Sequence, residues 1–182
     1  MSLTAQRFFA ILSLVLALFW IAISRVPPAA RLERASVAPQ KGFAAPDFSL
    51  QSTDGQIITL SGLRGRPVIL NFWASWCPPC RAEMPTLQAL SEQYGEAFLL
   101  LGINASTQDT LPNAYQMIAE MNLTFPILLD TEGAAAAAYR VLSLPTTFFI
   151  DRQGIIREVV IGGPLSEASL RARLEPLIGE TP

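Results

Sequence analysis

Histidine is absent from this 182-residue chain, and its absence excludes several kinds of chemistry. Serine–histidine triads, zinc centres built from cysteine and histidine, and imidazole pH switches all need a residue that the chain lacks. Cysteine is nearly as scarce, since the two that occur, Cys77 and Cys80, lie within one four-residue stretch. Any chemistry that the chain performs is therefore expected to be sulfur chemistry.

Charge is also scarce. The chain has 13 basic and 15 acidic residues, a formal net charge of −2, and no basic run. A protein that binds nucleic acid needs a basic patch or stripe, so we do not expect nucleic acid as a partner. Hydrophobic residues make up 51% of the chain and charged residues 15%. Part of this apolar excess lies in the first two dozen residues.

The longest apolar stretch lies between Arg7 and Arg25, where 17 consecutive residues carry no charge. A helix needs about 17–25 such residues to cross a bilayer, and the hydrophobic region of a cleaved signal peptide is shorter. We therefore expect residues 1–25 to form an uncleaved signal anchor with one transmembrane helix; a cleaved signal peptide is the alternative. Arg7 precedes the stretch, whereas Arg25, Arg31 and Arg34 follow it, a count that by the positive-inside rule would leave the following domain on the cytoplasmic side. Short amino-terminal anchors can break this rule, so charge alone leaves the orientation open.

Two further regions follow the apolar stretch. Residues 26–42 contain three prolines and several alanines, a composition that predicts a flexible linker. Residues 43–182 alternate between strand and helix patterns, which indicates an α/β domain. A mixed sheet covered by helices on both faces is the expected arrangement.

Apolar spacing predicts the individual strands and helices of this domain. A hairpin is expected around Asp54 and Gly55, and the apolar run Val68–Trp73 is typical of a central strand. Another buried strand is expected from Ala97 to Ile103. The segments predicted as helices are marked by Met84, Leu87, Leu90 and Tyr94; by Leu111, Tyr115, Ile118 and Met121; by Ala134–Ala138; and by Leu170, Leu174, Leu177 and Ile178.

The two cysteines stand where the predicted central strand gives way to a helix. Cys77 precedes the first helical turn, where unpaired backbone N–H groups and the helix dipole favour a thiolate. Cys80 lies one turn further on, close enough to form a disulfide with Cys77. Pro78 and Pro79 fit the first helical positions, where a missing N–H matters least. The pattern predicts that Cys77 attacks a substrate disulfide and that Cys80 resolves the mixed disulfide.

Other uses of the same cysteine pair stay open. The disulfide could be structural, in a membrane-tethered binding or chaperone module, although so short a loop adds little stability. A thiol peroxidase usually has threonine or serine three residues before its cysteine, and that position is Ala74. Haem attachment would need histidine at position 81, which is arginine, and a metal site would need more ligands than two thiolates.

Three motifs carry a resemblance to a known family. They are A-P-D-F-S-L at Ala45–Leu50, N-F-W-A-S-W-C-P-P-C-R-A-E-M-P at Asn71–Pro85 and L-P-T-T-F-F-I-D at Leu144–Asp151. Together they resemble thioredoxin, and more closely the membrane-tethered, extracytoplasmic thiol–disulfide oxidoreductases of the TlpA/ResA type within the redoxin (AhpC/TSA-like) superfamily. The resemblance implies a thioredoxin-like fold with an amino-terminal hairpin and a helix–strand insertion at about residues 104–130.

The resemblance also implies roles for individual residues. Pro145 matches the cis-proline that faces the cysteines, and Pro85 matches a helix-kinking proline. Glu83 matches an acidic residue beside the cysteines, and we expect it to transfer a proton, although it could merely complement the helix terminus. The residues expected to contact substrate are Trp76, Pro78, Pro79, Leu144 and Pro145.

The implied activity is reduction of protein disulfides on the outer side of the cytoplasmic membrane. Apocytochromes c awaiting haem are among the expected substrates, and a membrane dithiol carrier is the expected electron donor. The chain would be a single-pass membrane protein, held to the lipid bilayer by its amino-terminal helix. No metal and no cofactor beyond the redox-active disulfide are expected.

Overall fold

The computed structural model describes residues 36–179 and, nearer the amino terminus, residues 12, 15, 16 and 20. The predicted signal anchor and the first part of the predicted linker otherwise lie outside the described residues. No helix within the described residues is long and apolar enough to span a membrane. Residues 36–42 of the predicted linker are tied to the domain, since Gly42 donates its backbone N–H to Ile156 O at 2.7 Å.

A single mixed sheet organises residues 36–179. Its strands are β1 (Ser49–Ser52), β2 (Ile57–Thr59), β3 (Val68–Trp73), β4 (Leu99–Asn104), β5 (Ile127–Leu129), β6 (Thr146–Ile150) and β7 (Ile156–Ile161). Their order in the sheet is β2-β1-β5-β4-β3-β6-β7. β4 runs parallel to β3 and to β5, and the other neighbouring pairs are antiparallel. The predicted hairpin and mixed sheet are confirmed.

Helices cover both faces of the sheet. They are α1 (Pro78–Tyr94), α2 (Leu111–Glu120), α3 (Ala134–Ala138) and α4 (Glu167–Gly179), with short 3-10 turns at Leu60–Leu63 and Gly95–Ala97. Side chains alternate along β3, so that Ile69 and Trp73 pack with α1, α2 and α4. Val68, Leu70 and Phe72 pack on the other face, with α3. β3 is therefore buried on both sides, as its unbroken apolar sequence predicts.

Two sequence expectations need correction. The predicted apolar face of α2 is wrong for Leu111 and Tyr115, which are exposed; the buried residues of this helix are Ala114 and Met117. The small side chain of Ala114 lets α2 approach the core closely. The helix therefore turns the face that carries Ala114 and Met117 toward the core and leaves Leu111 and Tyr115 exposed. The predicted strand from Ala97 also begins two residues later, at Leu99, because a 3-10 turn continues α1 through Ala97.

Strand β4 contains a glycine that its packing requires. A Cβ at Gly102 would lie 2.7 Å from Ile127 Cδ1, 3.0 Å from Phe125 Cε2 and 3.2 Å from Trp73 Nε1. These three side chains are buried, so they have little free volume into which they can move. Gly102 therefore allows the end of β3 and residues 125–127 to pack directly against the backbone of β4.

Replacing Gly102 with alanine is expected to lower the free energy of unfolding by about 1–3 kcal/mol, because the added methyl group overpacks the core. Gly62→Ala is the matched control, since a Cβ at Gly62 has no heavy atom within 4 Å. Chemical denaturation of both variants measures the difference. Equal stabilities would contradict the argument that the space around Gly102 is filled.

Candidate active site

The cysteine pair lies at the carboxyl end of the central strand β3. Cys77 is the N-cap residue of α1, and Cys80 lies in the first turn of that helix. Their sulfur atoms form a disulfide, with the two Cα atoms 5.3 Å apart. The pairing predicted from the sequence is confirmed.

The proline pair determines which backbone group reaches the Cys77 sulfur. Pro78 and Pro79 occupy the first positions of α1 and have no N–H to donate. The first free donor of the helix is therefore the backbone N–H of Cys80, which donates to Cys77 Sγ at 3.3 Å. This N–H and the positive end of the helix dipole both favour negative charge on the sulfur when the disulfide is reduced.

The two cysteine residues are both buried and differ slightly in exposure. Cys77 keeps 2% of its surface exposed and Cys80 keeps none. Among the residues predicted to contact substrate, Trp76 and Pro78 are exposed, Pro79 and Leu144 are half-buried, and Pro145 is buried. Any polypeptide that reaches the disulfide therefore meets Cys77 first.

A partly buried polar network fixes the segment that leads into Cys77. The Asp109 carboxylate accepts hydrogen bonds from Ser75 N and Ser75 Oγ, both at 2.6 Å, and from Asn104 Nδ2 at 2.8 Å. Burial alone would raise the pKa of Asp109, but these hydrogen bonds, with one from Thr110 N, lower it below its ordinary value. The neighbouring Thr110 is the N-cap of α2.

Glu83 lies one helical turn beyond Cys80, on the buried side of α1. Its side chain is fully buried, and the carboxylate accepts hydrogen bonds from Asn71 Nδ2 at 2.7 Å and from Leu165 N at 2.9 Å. Burial raises the pKa of Glu83 above its ordinary value, and the two hydrogen bonds oppose that rise without cancelling it. A carboxyl group with these properties is suited to accept a proton close to the cysteines.

Asn71 is the partner of Glu83 that the sequence did not reveal. It is a polar residue inside the apolar strand β3, and its Nδ2 also donates to Thr147 Oγ1 on β6 at 3.0 Å. Its Oδ1 is buried and accepts no hydrogen bond from the described part of the chain. A lone amide in an otherwise apolar central strand was the available signal, because a buried polar side chain needs a partner.

The loop between β7 and α4 brings Glu83 and Pro145 together. The Leu144–Pro145 peptide bond is cis, as predicted, and Gly163–Pro164 is a second cis bond that the sequence analysis missed. A Cβ at Gly163 would lie 2.6 Å from Glu83 Oε2 and 2.7 Å from Pro145 Cγ. The loop can close over both residues only because position 163 has no side chain.

The described residues contain no cluster of three or more acidic or cysteine side chains that could hold a metal ion.

The AhpC/TSA family matches residues 42–159, which include both cysteines, Glu83 and the cis-proline. The chain belongs to the AhpC/TSA family. Thioredoxin-like protein YneN of Bacillus subtilis (strain 168) is 39% identical to this AhpC/TSA protein over 127 residues, which cover 69% of the chain and 74% of YneN.

A second relative and a solved structure agree with this membership. Thiol-disulfide oxidoreductase ResA of Oceanobacillus iheyensis is 42% identical over 125 residues, which cover 66% of this chain and 65% of that protein. A crystal structure of a thiol:disulfide interchange protein of the thioredoxin family, from Chlorobium tepidum TLS, has a TM-score of 0.67 at 29% identity and covers 75% of this chain and 96% of that one. This AhpC/TSA protein is a thiol–disulfide oxidoreductase with a thioredoxin-like fold, and Cys77 and Cys80 are its cysteine pair.

Replacing Asn71 with aspartate is expected to make stability depend on pH. In the wild type, Asn71 Nδ2 donates a hydrogen bond to Glu83 Oε1 at 2.7 Å. Aspartate would place a second carboxylate at that position, and two carboxylates so close together share one proton. The folded pair then holds that proton at pH values where the unfolded chain has released it. Stability is therefore retained at low pH and lost as the pH rises through the raised pKa of the folded pair.

Chemical denaturation at pH 5 and pH 8 measures this effect. We expect Asn71→Asp to be about 3 kcal/mol less stable than wild type at pH 8, with a smaller difference at pH 5. The double variant Asn71→Asp/Glu83→Gln restores a donor opposite the carboxylate and should regain part of the loss. The same difference at both pH values would contradict the contact between residues 71 and 83 as the cause.

Glu83→Gln is expected to move the pH profile of thiol alkylation in the reduced protein toward lower pH. The negative charge of Glu83 disfavours a thiolate on the same helical turn, and glutamine removes that charge. Glu92→Gln is the matched control, because it removes an exposed carboxylate from the far end of the same helix. Iodoacetamide alkylation rates between pH 5 and pH 9 measure the shift; coincident profiles would leave Glu83 with a structural role.

Proposed function

We propose that this oxidoreductase reduces disulfides of proteins outside the cytoplasm, with apocytochrome c among its substrates. The observation that carries the proposal is the unequal exposure of the two cysteines at the start of α1. Cys77 has surface that another protein can reach and Cys80 has none, which suits an attacking and a resolving thiol respectively.

The cycle follows from this asymmetry. The Cys77 thiolate attacks a substrate disulfide, forms a mixed disulfide and releases one substrate thiol. The Cys80 thiol then gives its proton to Glu83 and attacks Cys77 Sγ, which releases the second substrate thiol. Two electrons pass from the Cys77–Cys80 dithiol to the substrate, and the enzyme is left with the disulfide described above. The buried carboxyl group of Glu83 supports the proton transfer.

The residues between the cysteines favour one direction of the reaction. Pro78 and Pro79 supply neither a positive charge nor a backbone N–H to the Cys77 sulfur. When the Cys77 thiolate receives less stabilisation, the reduced Cys77–Cys80 dithiol is a better electron donor. The two prolines therefore favour a reductase over a strong oxidant. The name of the ResA relative is compatible with either direction.

The amino-terminal sequence supports a location at the membrane. The uncharged stretch between Arg7 and Arg25 is long enough to anchor the chain in the cytoplasmic membrane as one helix. The placement of the catalytic domain on the outer side rests on the resemblance to TlpA/ResA-type proteins. A disulfide reductase in that compartment needs electrons from across the membrane, and we propose a membrane dithiol carrier as their source. The resemblance to TlpA/ResA-type proteins supports both the membrane anchor and the dithiol carrier. It also supports apocytochrome c as a substrate, because the cysteines of apocytochrome c must be reduced before haem attachment.

Insulin reduction tests the proposed cycle. The wild-type chain should reduce insulin disulfides with a dithiol as the electron source, and Cys77→Ser should abolish the reaction because it removes the attacking sulfur. Cys80→Ala should instead accumulate mixed disulfides through Cys77, which mass spectrometry can locate. Capture of partners from membranes by Cys80→Ala would then show whether apocytochrome c is a substrate.

Three outcomes would overturn the proposal. Insulin reduction that persists in Cys77→Ser, or that is absent in wild type, would favour a binding or chaperone module with a structural disulfide. Partners trapped through Cys80 in Cys77→Ser would reverse the two roles. Rapid thiol-dependent consumption of hydrogen peroxide would identify a peroxidase; we expect none above background, because Ala74 replaces the hydroxyl residue that such enzymes usually use.

A further inference from the structure

Three buried polar side chains on three different elements are joined by hydrogen bonds one helical turn from Cys80. They are Glu83 on α1, Asn71 on β3 and Thr147 on β6, and each keeps at most 1% of its surface exposed. Asn71 Nδ2 donates to Glu83 Oε1 at 2.7 Å and to Thr147 Oγ1 at 3.0 Å. The cycle proposed above uses Glu83 as a proton acceptor and gives no task to Asn71 or Thr147.

The observed contacts of Glu83 suit its ionised form. Both carboxylate oxygens face N–H donors, since Leu165 N donates to Oε2 at 2.9 Å and Asn71 Nδ2 donates to Oε1. An ionised carboxylate accepts hydrogen bonds at both oxygens, whereas a protonated carboxyl group has an O–H that must itself find an acceptor. A buried donor without an acceptor costs free energy, so uptake of a proton by Glu83 requires a change in one of its partners.

Asn71 is the partner that can become an acceptor. The backbone N–H of Leu165 can only donate, but a side-chain amide carries an acceptor oxygen beside its donor nitrogen. Asn71 Oδ1 is buried and accepts no hydrogen bond from the described part of the chain. Rotation of the terminal amide by about 180° exchanges Oδ1 and Nδ2, and because these atoms are similar in size the rotation needs no new space.

Thr147 can follow this rotation, because a hydroxyl group both donates and accepts hydrogen bonds. Its Oγ1 accepts from Asn71 Nδ2 in the observed arrangement and can donate to Asn71 Oδ1 in the reversed one. The amide therefore makes hydrogen bonds to both Glu83 and Thr147 in either orientation. Reversal changes which groups donate and which accept, and it keeps the number of these hydrogen bonds.

We propose that Asn71 reverses its side-chain amide when Glu83 takes up a proton, so that Asn71 and Thr147 stabilise both states of this carboxyl group. With Glu83 ionised, Asn71 Nδ2 donates to Oε1; with Glu83 protonated, the O–H on Oε1 donates to Asn71 Oδ1. In the resolving step the Cys80 thiol loses the proton that Glu83 gains. Asn71 and Thr147 are positioning residues, since they act on the cysteines through Glu83. This inference rests on the proposed proton transfer and deepens it.

The oxidised protein isolates the titration of Glu83. Its pKa is raised by burial and lowered by the hydrogen bonds from Leu165 and Asn71, and among the described residues no charged side chain on β3, β6 or the loop before α4 contributes to the shift. The titratable groups of the same site on α1 are Cys77 and Cys80, and neither titrates while they form a disulfide.

The test is a nuclear magnetic resonance titration of the oxidised full-length chain between pH 4 and pH 9. The chemical shift of the Glu83 carboxyl carbon follows protonation, and nuclear Overhauser effects locate the Asn71 amide protons. At high pH we expect cross-peaks from these protons to the Glu83 side chain and to the Thr147 methyl group. Both should weaken as the pH falls through the Glu83 titration, because reversal turns the amide protons away. Cross-peaks that keep their intensity through this titration would overturn the proposal.

Thr147→Val removes the hydroxyl group at nearly constant volume. If the amide reverses, valine leaves one Asn71 N–H without an acceptor only while Glu83 is ionised, because the reversed Oδ1 still accepts from protonated Glu83. We therefore expect the Glu83 titration to move upward by about one pH unit. An amide that never reverses would lose the same contact in both states of Glu83, and the titration would not move.

Two further variants separate the hydroxyl group from general effects of substitution. Thr147→Ser keeps the hydroxyl group and should keep the wild-type titration. Thr124→Val is the matched control, because Thr124 Oγ1 accepts from Gln88 Nε2 at 2.7 Å, an amide–hydroxyl contact to α1 that does not involve Glu83.

The outcomes distinguish the reversal from the proposed function. A Glu83 titration that moves in Thr147→Val alone supports the inference. An unmoved titration in Thr147→Val, or an equal shift in Thr147→Ser or Thr124→Val, would overturn it. Failure of the wild-type chain to reduce insulin would overturn the proposed function instead, and the titration of the oxidised chain is read independently of that result.

Discussion

The backbone N–H of Cys80, donated to Cys77 Sγ, is the contact on which the chemistry of this protein depends. It exists because a buried strand ends where a helix begins, and because two prolines leave this group as the first free donor of the helix. The same geometry leaves 2% of Cys77 exposed and buries Cys80 completely. One local junction therefore gives two identical side chains different environments.

The surrounding structure supports this junction from two directions. The Asp109 carboxylate binds the backbone and side chain of Ser75, which fixes the approach to Cys77. Beneath the helix, Glu83 is held by Asn71 and by the loop before α4. Hydrogen bonds lower the pKa of Asp109, so this carboxylate stays charged and anchors the loop. Burial raises the pKa of Glu83, so this carboxyl group is suited to exchange protons.

Much of the fold and the reactive pair were predictable from local patterns. The apolar run of β3, the C-P-P-C motif and the proline after Leu144 each carry their information within a few residues, and the strands, helices, disulfide and cis bond followed. The partners of Glu83 were not predictable in this way, because Asn71 precedes it by twelve residues and Leu165 follows it by eighty-two. The prediction for α2 was wrong for a related reason. Apolar spacing shows that a helix has an apolar side, but it does not determine which residues of the helix face the core.

The sequence by itself determined that the chemistry is sulfur chemistry, that it occurs at the start of a helix, and that an acidic residue lies one turn away. These are properties of neighbours along the chain, where helical geometry converts spacing into position. The tertiary structure alone decided that Glu83 is buried and that a loop containing Gly163 packs against it beside Pro145. Those properties join segments distant in the sequence, and only the packing of the sheet and helices sets the distances between them.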